Sequence, residues 1–165
     1  MNRAFRSILS SQLLFKGQFL VSRPTLSAYI SLGEIMGQNT ASLRTVALVG
    51  HGAAGKTTLA ETLLAASGAI TTRGSVEKGN TVCDFDPQEK ELGHSLNSAV
   101  CSFTWQDTQI HLLDTPGYPD FAGQAIGALA AVDTALVVIN AQTGIELSTE
   151  RMMRLAAARN VCRMI

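Results

Sequence analysis

Val46-Ala47-Leu48-Val49-Gly50-His51-Gly52-Ala53-Ala54-Gly55-Lys56-Thr57-Thr58-Leu59-Ala60 decides how this chain folds. An apolar run leads into a glycine-rich loop. Leu59, Leu63 and Leu64 then recur at helical spacing until Gly68 stops the helix. Gly50 to Thr57 fits G-x-x-x-x-G-K-[ST], the phosphate-binding loop. Gly50, His51, Gly52, Ala53, Ala54 and Gly55 let successive main-chain N–H groups curl around phosphate oxygens with few side chains in the way. The helix that starts near Lys56 aims the positive end of its dipole at the same anion. Lys56 can reach the outer phosphates, the Thr57 hydroxyl can ligate Mg²⁺, and Thr58 completes the first turn. The competing reading is a chance match in a glycine-rich turn. The strand before the loop and the helix after it argue against that.

Working outward, residues 44–49 are predicted as the first strand and 56–67 as the first helix. Residues 71–97 lack clean periodicity and hold Gly74, Gly79, Pro87 and Gly93 among eight charged residues. A connection that long is either a solvated linker or a functional, mobile segment beside the phosphate loop. Residues 99–105 and 109–114 read as strands joined by a hairpin turn at Gln106-Asp107-Thr108. A helix is expected over 119–131, with Phe121, Ala125, Ile126 and Leu129 on one stripe. The apolar run 134–139 reads as a buried parallel strand. Residues 145–159 read as a helix with Leu147, Met152 and Leu155 in the core, and a last strand begins at Val161. This order implies an α/β fold of the P-loop NTPase type: three layers, α/β/α, around a mostly parallel sheet, here truncated. Ligand should sit at the C-terminal ends of the strands, where Gly50 and Asp114 both fall.

Asp114-Thr115-Pro116-Gly117 is the second signal. A carboxylate at the end of a buried strand can hold a water on Mg²⁺. The Gly117 N–H can bond the terminal phosphate and be released when that phosphate leaves. Alone, D-T-P-G is a common turn. Together with the phosphate loop, Asp84-Phe85-Asp86-Pro87-Gln88-Glu89-Lys90-Glu91-Leu92-Gly93-His94-Ser95-Leu96-Asn97-Ser98-Ala99, and Tyr118-Pro119-Asp120-Phe121 after D-T-P-G, it resembles the translational GTPases. The resemblance is strongest to elongation factor G and elongation-factor-G-like proteins, and it runs from about Arg44 to Ile165. It implies GTP and GDP as ligands with Mg²⁺, a first switch within residues 74–98, and the ribosome as partner of the full-length family. It places Thr57, Ser95 and Asp114 around the metal, with Ser95 standing where the family usually has threonine.

The chain departs from the family at Ala53, where an acid is common, and at Tyr118, where the translational factors carry the histidine that positions water. With Lys56, Tyr118 is the candidate catalytic group, and slow or differently triggered hydrolysis is the expectation. His51, His94 and His111 are read as no substitute for that histidine, and His51 and His111 are expected to pack. No N-K-x-D occurs, so the base-recognition segment of the superfamily is missing from this sequence, and the reading is of a partial, impaired GTP-binding domain. The alternatives are a non-catalytic nucleotide-binding or interaction fragment, and an ATPase of the deviant phosphate-loop kind, which lacks its extra lysine here.

The chain has 165 residues, 46% hydrophobic and 16% charged, with zero formal net charge. That composition fits a globular domain and argues against bulk electrostatic capture of nucleic acid. Cys83, Cys101 and Cys162 have neither disulfide-framework nor metal-ligand spacing, and no apolar run could span a bilayer. Residues 1–35 are basic, with Phe5, Leu9 and Leu13 at helical spacing. They resemble a mitochondrial transit peptide. The preferred reading is translation from Met36, with disorder before it in either case. The domain division is therefore an extension over 1–42 and the partial GTP-binding domain over 43–165. Localisation is expected to be cytoplasmic, or the mitochondrial matrix if the leader is real.

Overall fold

The first strand, β1 (Leu43–Val49), lies at the centre of the fold and delivers the phosphate loop at its C-terminal end. The computed structural model describes residues 40–165, so the expectations for residues 1–35 lie outside the described residues. β1 is followed by α1 (Lys56–Ala66), α2 (Pro87–Leu92), β2 (Ala99–Trp105), β3 (Thr108–Asp114), α3 (Ala122–Ala128), β4 (Thr134–Val137), α4 (Leu147–Ala158) and β5 (Cys162–Met164). The sheet order is β2-β3-β1-β4-β5. β1 pairs in parallel with β3 and β4, β4 pairs in parallel with β5, and only β2 runs antiparallel, against β3. The register sets Leu48 opposite Asp114, so the phosphate loop and D-T-P-G leave the sheet side by side.

Alternation along β1 sends its side chains to both faces. Ala47 and Val49 pack with Ala125, Leu129, Val137, Met152 and Ala156 under α3 and α4. Leu48 packs on the opposite face with Ala60, Leu64, Cys83, Cys101, Phe103 and Leu112 under α1. The three cysteines are free; Cys83 and Cys101 are buried and Cys162 is exposed. Beside α1 the second face stays open as an apolar groove of about 400 Å³, lined in part by Val46, Phe103, Trp105, Leu136 and Met164.

Several elements differ from the sequence reading. Gln106 and Asp107 both take positive φ (47° and 62°), which makes the β2–β3 connection a two-residue turn and brings Thr108 into the strand. The helix expected over 119–131 divides into a 3₁₀ turn at Pro119–Phe121 and the short α3, with Ala125 and Leu129 buried. β4 ends at Val137, because the chain turns away into a bridge between Asn140 and Gly144. α4 starts at Leu147, which is 82% exposed: the first turn precedes the stripe that Met152 and Ala156 bury. α2 sits within the segment that showed no periodicity. Six residues are too few to show a period, but Asp86-Pro87 and Glu89 form a capping box, a start signal that was there to be read.

Candidate functional site

The phosphate loop ends in a sharp backbone reversal. Gly55 takes φ 92° and caps α1 without any side-chain hydrogen bond, so the helix start faces the cavity rather than a capping side chain. Ala53 also takes positive φ (58°), a conformation that costs a non-glycine residue roughly 1–2 kcal/mol. Gly52, Ala53, Gly55, Lys56, Thr57 and Thr58 form one wall of a cavity of about 210 Å³. Asp84, Gly93, His94, Ser95, Thr115, Gly117 and Tyr118 form much of the rest. Three sequence segments far apart in the chain thus meet around one hollow of a size suited to a polyphosphate.

The Lys56 ammonium is buried and donates to the carbonyl oxygens of His51 (2.6 Å) and Gly50 (3.3 Å). Burial pulls its pKa below the usual lysine value, and the charge of Asp114 opposes that. A Cβ on Gly117 would lie 2.4 Å from both the Lys56 Nζ and the His51 carbonyl oxygen, so only glycine fits between D-T-P and the loop. Thr57 Oγ1 donates to Asp114 Oδ2 at 2.6 Å and lies 3.4 Å from Ser95 Oγ. Ser95 in turn donates to Asp84 Oδ1 at 2.8 Å. The other oxygen of Asp114, Oδ1, is buried with no hydrogen-bond partner.

Among the described residues no group of three His, Cys, Asp or Glu side chains is arranged to hold a metal. The donors gathered here are instead the hydroxyls of Thr57 and Ser95 and the carboxylates of Asp84 and Asp114. This all-oxygen set fits a hard divalent ion that also takes phosphate oxygens and water. The unpartnered Asp114 oxygen is the atom that such an ion or its water would satisfy. Asp84 joins the set although the sequence reading left it out; its place in the 84–99 block beside Ser95 was the available signal.

Burial raises the Asp114 pKa to about 6, against the lowering effects of the Thr57 hydrogen bond and the Lys56 charge. The folded chain therefore binds this proton more tightly than the unfolded one. The neutral carboxyl favours folding at low pH, and that advantage is lost as pH rises from about 4 through about 6. Asp114→Asn should accordingly raise the thermal midpoint of the nucleotide-free, magnesium-free protein at pH 7 while changing it little at pH 4. A midpoint difference independent of pH would refute this account of Asp114.

His51 takes no part in the cavity wall. Its ring is 4% exposed, with Nδ1 held by the Gly52 carbonyl and by Glu146 at 3.3 Å, and Nε2 3.4 Å from Thr143. It packs behind the loop, and Gly50 and Ala54 also lie outside the wall. Tyr118 does reach the site. Its ring covers Gly52, where an added Cβ would lie 2.9 Å from Cζ, and meets the His94 ring at 4.6 Å. His94, which the sequence reading set aside with His51 and His111 as no substitute for the family's histidine, is the imidazole that faces the cavity; its position beside Ser95 was the available clue.

A mostly parallel sheet carrying this loop, with a strand-end carboxylate beside it, defines a phosphate-loop nucleotide-binding domain. The model of the elongation factor Tu GTP binding domain matches residues 41–165, and the chain belongs to that family, the GTP-binding domain of translational GTPases. It is 38% identical over 124 residues to the mitochondrial ribosome-releasing factor 2 of Schizosaccharomyces pombe, covering 75% of this chain and 15% of that protein. It is 44% identical over 110 residues to an elongation factor G-like protein of Mycobacterium tuberculosis, covering 67% and 15%. A crystal structure of a Thermus thermophilus protein superposes with a TM-score of 0.69 at 44% identity, covering 72% of this chain and 18% of that one. The chain thus spans only about 15% of the length of these curated relatives. Among the described residues no helix is long and apolar enough to cross a membrane.

Proposed function

We propose that this domain binds GTP and GDP together with Mg²⁺ and hydrolyses GTP, as the nucleotide-binding part of an elongation-factor-G-like factor that works on the ribosome. The observation that carries the reading is the convergence of Thr57, Ser95, Asp84 and Asp114 at the mouth of the phosphate loop, with one Asp114 oxygen left unpartnered. The main-chain amides from Gly52 to Thr57 would cradle the phosphates, and Lys56 would exchange its loop carbonyls for phosphate oxygens. Thr57 and Ser95 would hold the metal directly, and Asp114 through water. The bound ion would bridge and neutralise the phosphate oxygens. Gly117 would report the terminal phosphate. The mitochondrial names among the relatives favour a mitochondrial setting over a cytoplasmic one. The ribosome is the natural partner on the same ground.

Tyr118 stands where attacking water would be oriented, and its phenol offers a hydroxyl in place of an imidazole. Single-turnover hydrolysis with and without ribosomes tests it. Tyr118→Phe should slow the step by about 100-fold or more, the lower end of the range for a positioned acid–base group. Strong ribosome stimulation that persists in Tyr118→Phe would remove Tyr118 from the chemistry. It would leave the site to bind nucleotide and position water by its other walls.

A further inference from the structure

The acid with the most consequential contacts outside the metal-side set is Glu61. It lies on α1 one turn beyond Thr57, on the same side of the helix, and is 1% exposed. Its two oxygens accept from two backbone amides: Oε2 from Gly74 N–H at 2.8 Å and Oε1 from Val82 N–H at 2.5 Å. Among the described residues no cationic side chain pairs with it. One carboxylate thereby pins both ends of the loop 74–82. That loop also closes on itself: Ser75 N–H donates to Asn80 Oδ1, and a Cβ on Gly74 would strike the Asn80 carbonyl oxygen at 2.5 Å. Val82 leads through buried Cys83 to Asp84. Asp84 accepts from Thr81 Oγ1 (3.0 Å) and from Ser95 Oγ, which returns to Thr57 Oγ1. The contacts form a closed circuit that leaves α1 at Glu61 and re-enters it at Thr57.

We infer that Glu61 is a positioning residue for the metal-side hydroxyls: by fixing Val82 it sets Asp84, and through Asp84 it holds Ser95 over Thr57. A purely structural carboxylate would stabilise the loop without favouring the metal-bound state. A positioning one makes the magnesium-dependent part of nucleotide binding depend on Glu61, while the phosphate loop and Lys56, which Glu61 does not touch, keep the magnesium-free part. The inference rests on the proposed nucleotide site, so its test has an arm that needs no nucleotide.

The test uses the full chain and its Glu61→Ala and Glu61→Gln variants, titrated with a fluorescent non-hydrolysable GTP analogue with magnesium or with chelator. Loss of such an outer partner of a metal ligand typically costs about 10–100-fold in metal affinity. The expected result is a fall of about tenfold in the magnesium-stimulated gain for Glu61→Ala, with chelator affinity changed by no more than about twofold, and an intermediate value for Glu61→Gln, which keeps one acceptor oxygen. Equal losses with and without magnesium, or no loss in either, would overturn the inference. Amide hydrogen exchange on the nucleotide-free proteins provides the second arm. Faster exchange in Glu61→Ala should extend from Gly74 and Val82 to Asp84, whose N–H bonds Thr81 Oγ1. Exchange that rises only at Gly74 and Val82 would overturn the inference even if the parent protein bound no nucleotide, an outcome that by itself would instead refute the proposed function.

Discussion

Lys56→Met should lower the affinity for magnesium-bound GTP by about 100-fold or more, the scale of truncating one partner of a buried, hydrogen-bonded charge pair. The substitution keeps the length of the aliphatic stem and removes only the ammonium. That ammonium sits buried, its pKa depressed by desolvation, with the Gly50 and His51 carbonyls as acceptors. Losing it leaves those carbonyls short of a donor, at about 1 kcal/mol, but also relieves the cost of burying a charge. Folding stability should therefore change far less than binding. Parallel nucleotide titrations and urea melts check this. If binding and stability fell together in proportion, Lys56 would be a structural member of the loop and not its phosphate contact.

Gly50→Ala should do the opposite and act first on the fold. Gly50 takes φ 148°, and a Cβ there would lie 2.3 Å from the Val138 carbonyl oxygen, a backbone atom that cannot swing aside. The neighbouring Val138 N–H is bonded to Val49 O at 2.8 Å, so the strain falls on the junction of β1 and β4 that launches the loop. A loss of about 3 kcal/mol is expected from backbone strain plus steric displacement. Gly55→Ala offers the control. An added Cβ there meets nothing within 4 Å, although φ is 92°. Only the left-handed backbone penalty of roughly 1–2 kcal/mol should apply. Urea unfolding midpoints of the two variants should differ in that order; equal midpoints would show that Val138 does not constrain the loop.

The features most legible in the sequence were those fixed by local chemistry at short range. The glycine spacing, Lys56 and Thr57 define the phosphate loop from eight consecutive residues. The alternation of residues 99–105, followed by polar Gln106-Asp107-Thr108, points to a hairpin, although the turn itself uses only Gln106 and Asp107. The parallel order also follows, because strands alternating with helices leave few other ways to bury both sheet faces. Less legible were features that depend on distant partners. Leu147 looks like core from its type, but only the packing of α4 on α3 and the sheet shows that the buried stripe begins later. Residues 71–97 carry no periodic pattern because buried carboxylates organise them. Glu61 pins Gly74 and Val82, and Glu89 accepts from Leu96 N–H (2.9 Å) and Asn97 N–H (3.0 Å). Such side-chain anchors leave no trace in hydropathy. For the same reason Asp84 and His94 entered the site only once the segment was placed against α1.

The central claim is that main-chain amides of the phosphate loop, with Lys56 and the strand-end carboxylate Asp114, grip a magnesium-bound polyphosphate. Amide hydrogen exchange of the full chain, with and without a magnesium-bound non-hydrolysable GTP analogue, tests it most directly. Slower exchange is predicted for Gly52 to Thr57 and for Thr115, Gly117 and Tyr118, with the already buried amides of Ala47 to Val49 unchanged. Protection confined to other surfaces, or none at saturating analogue, would contradict it.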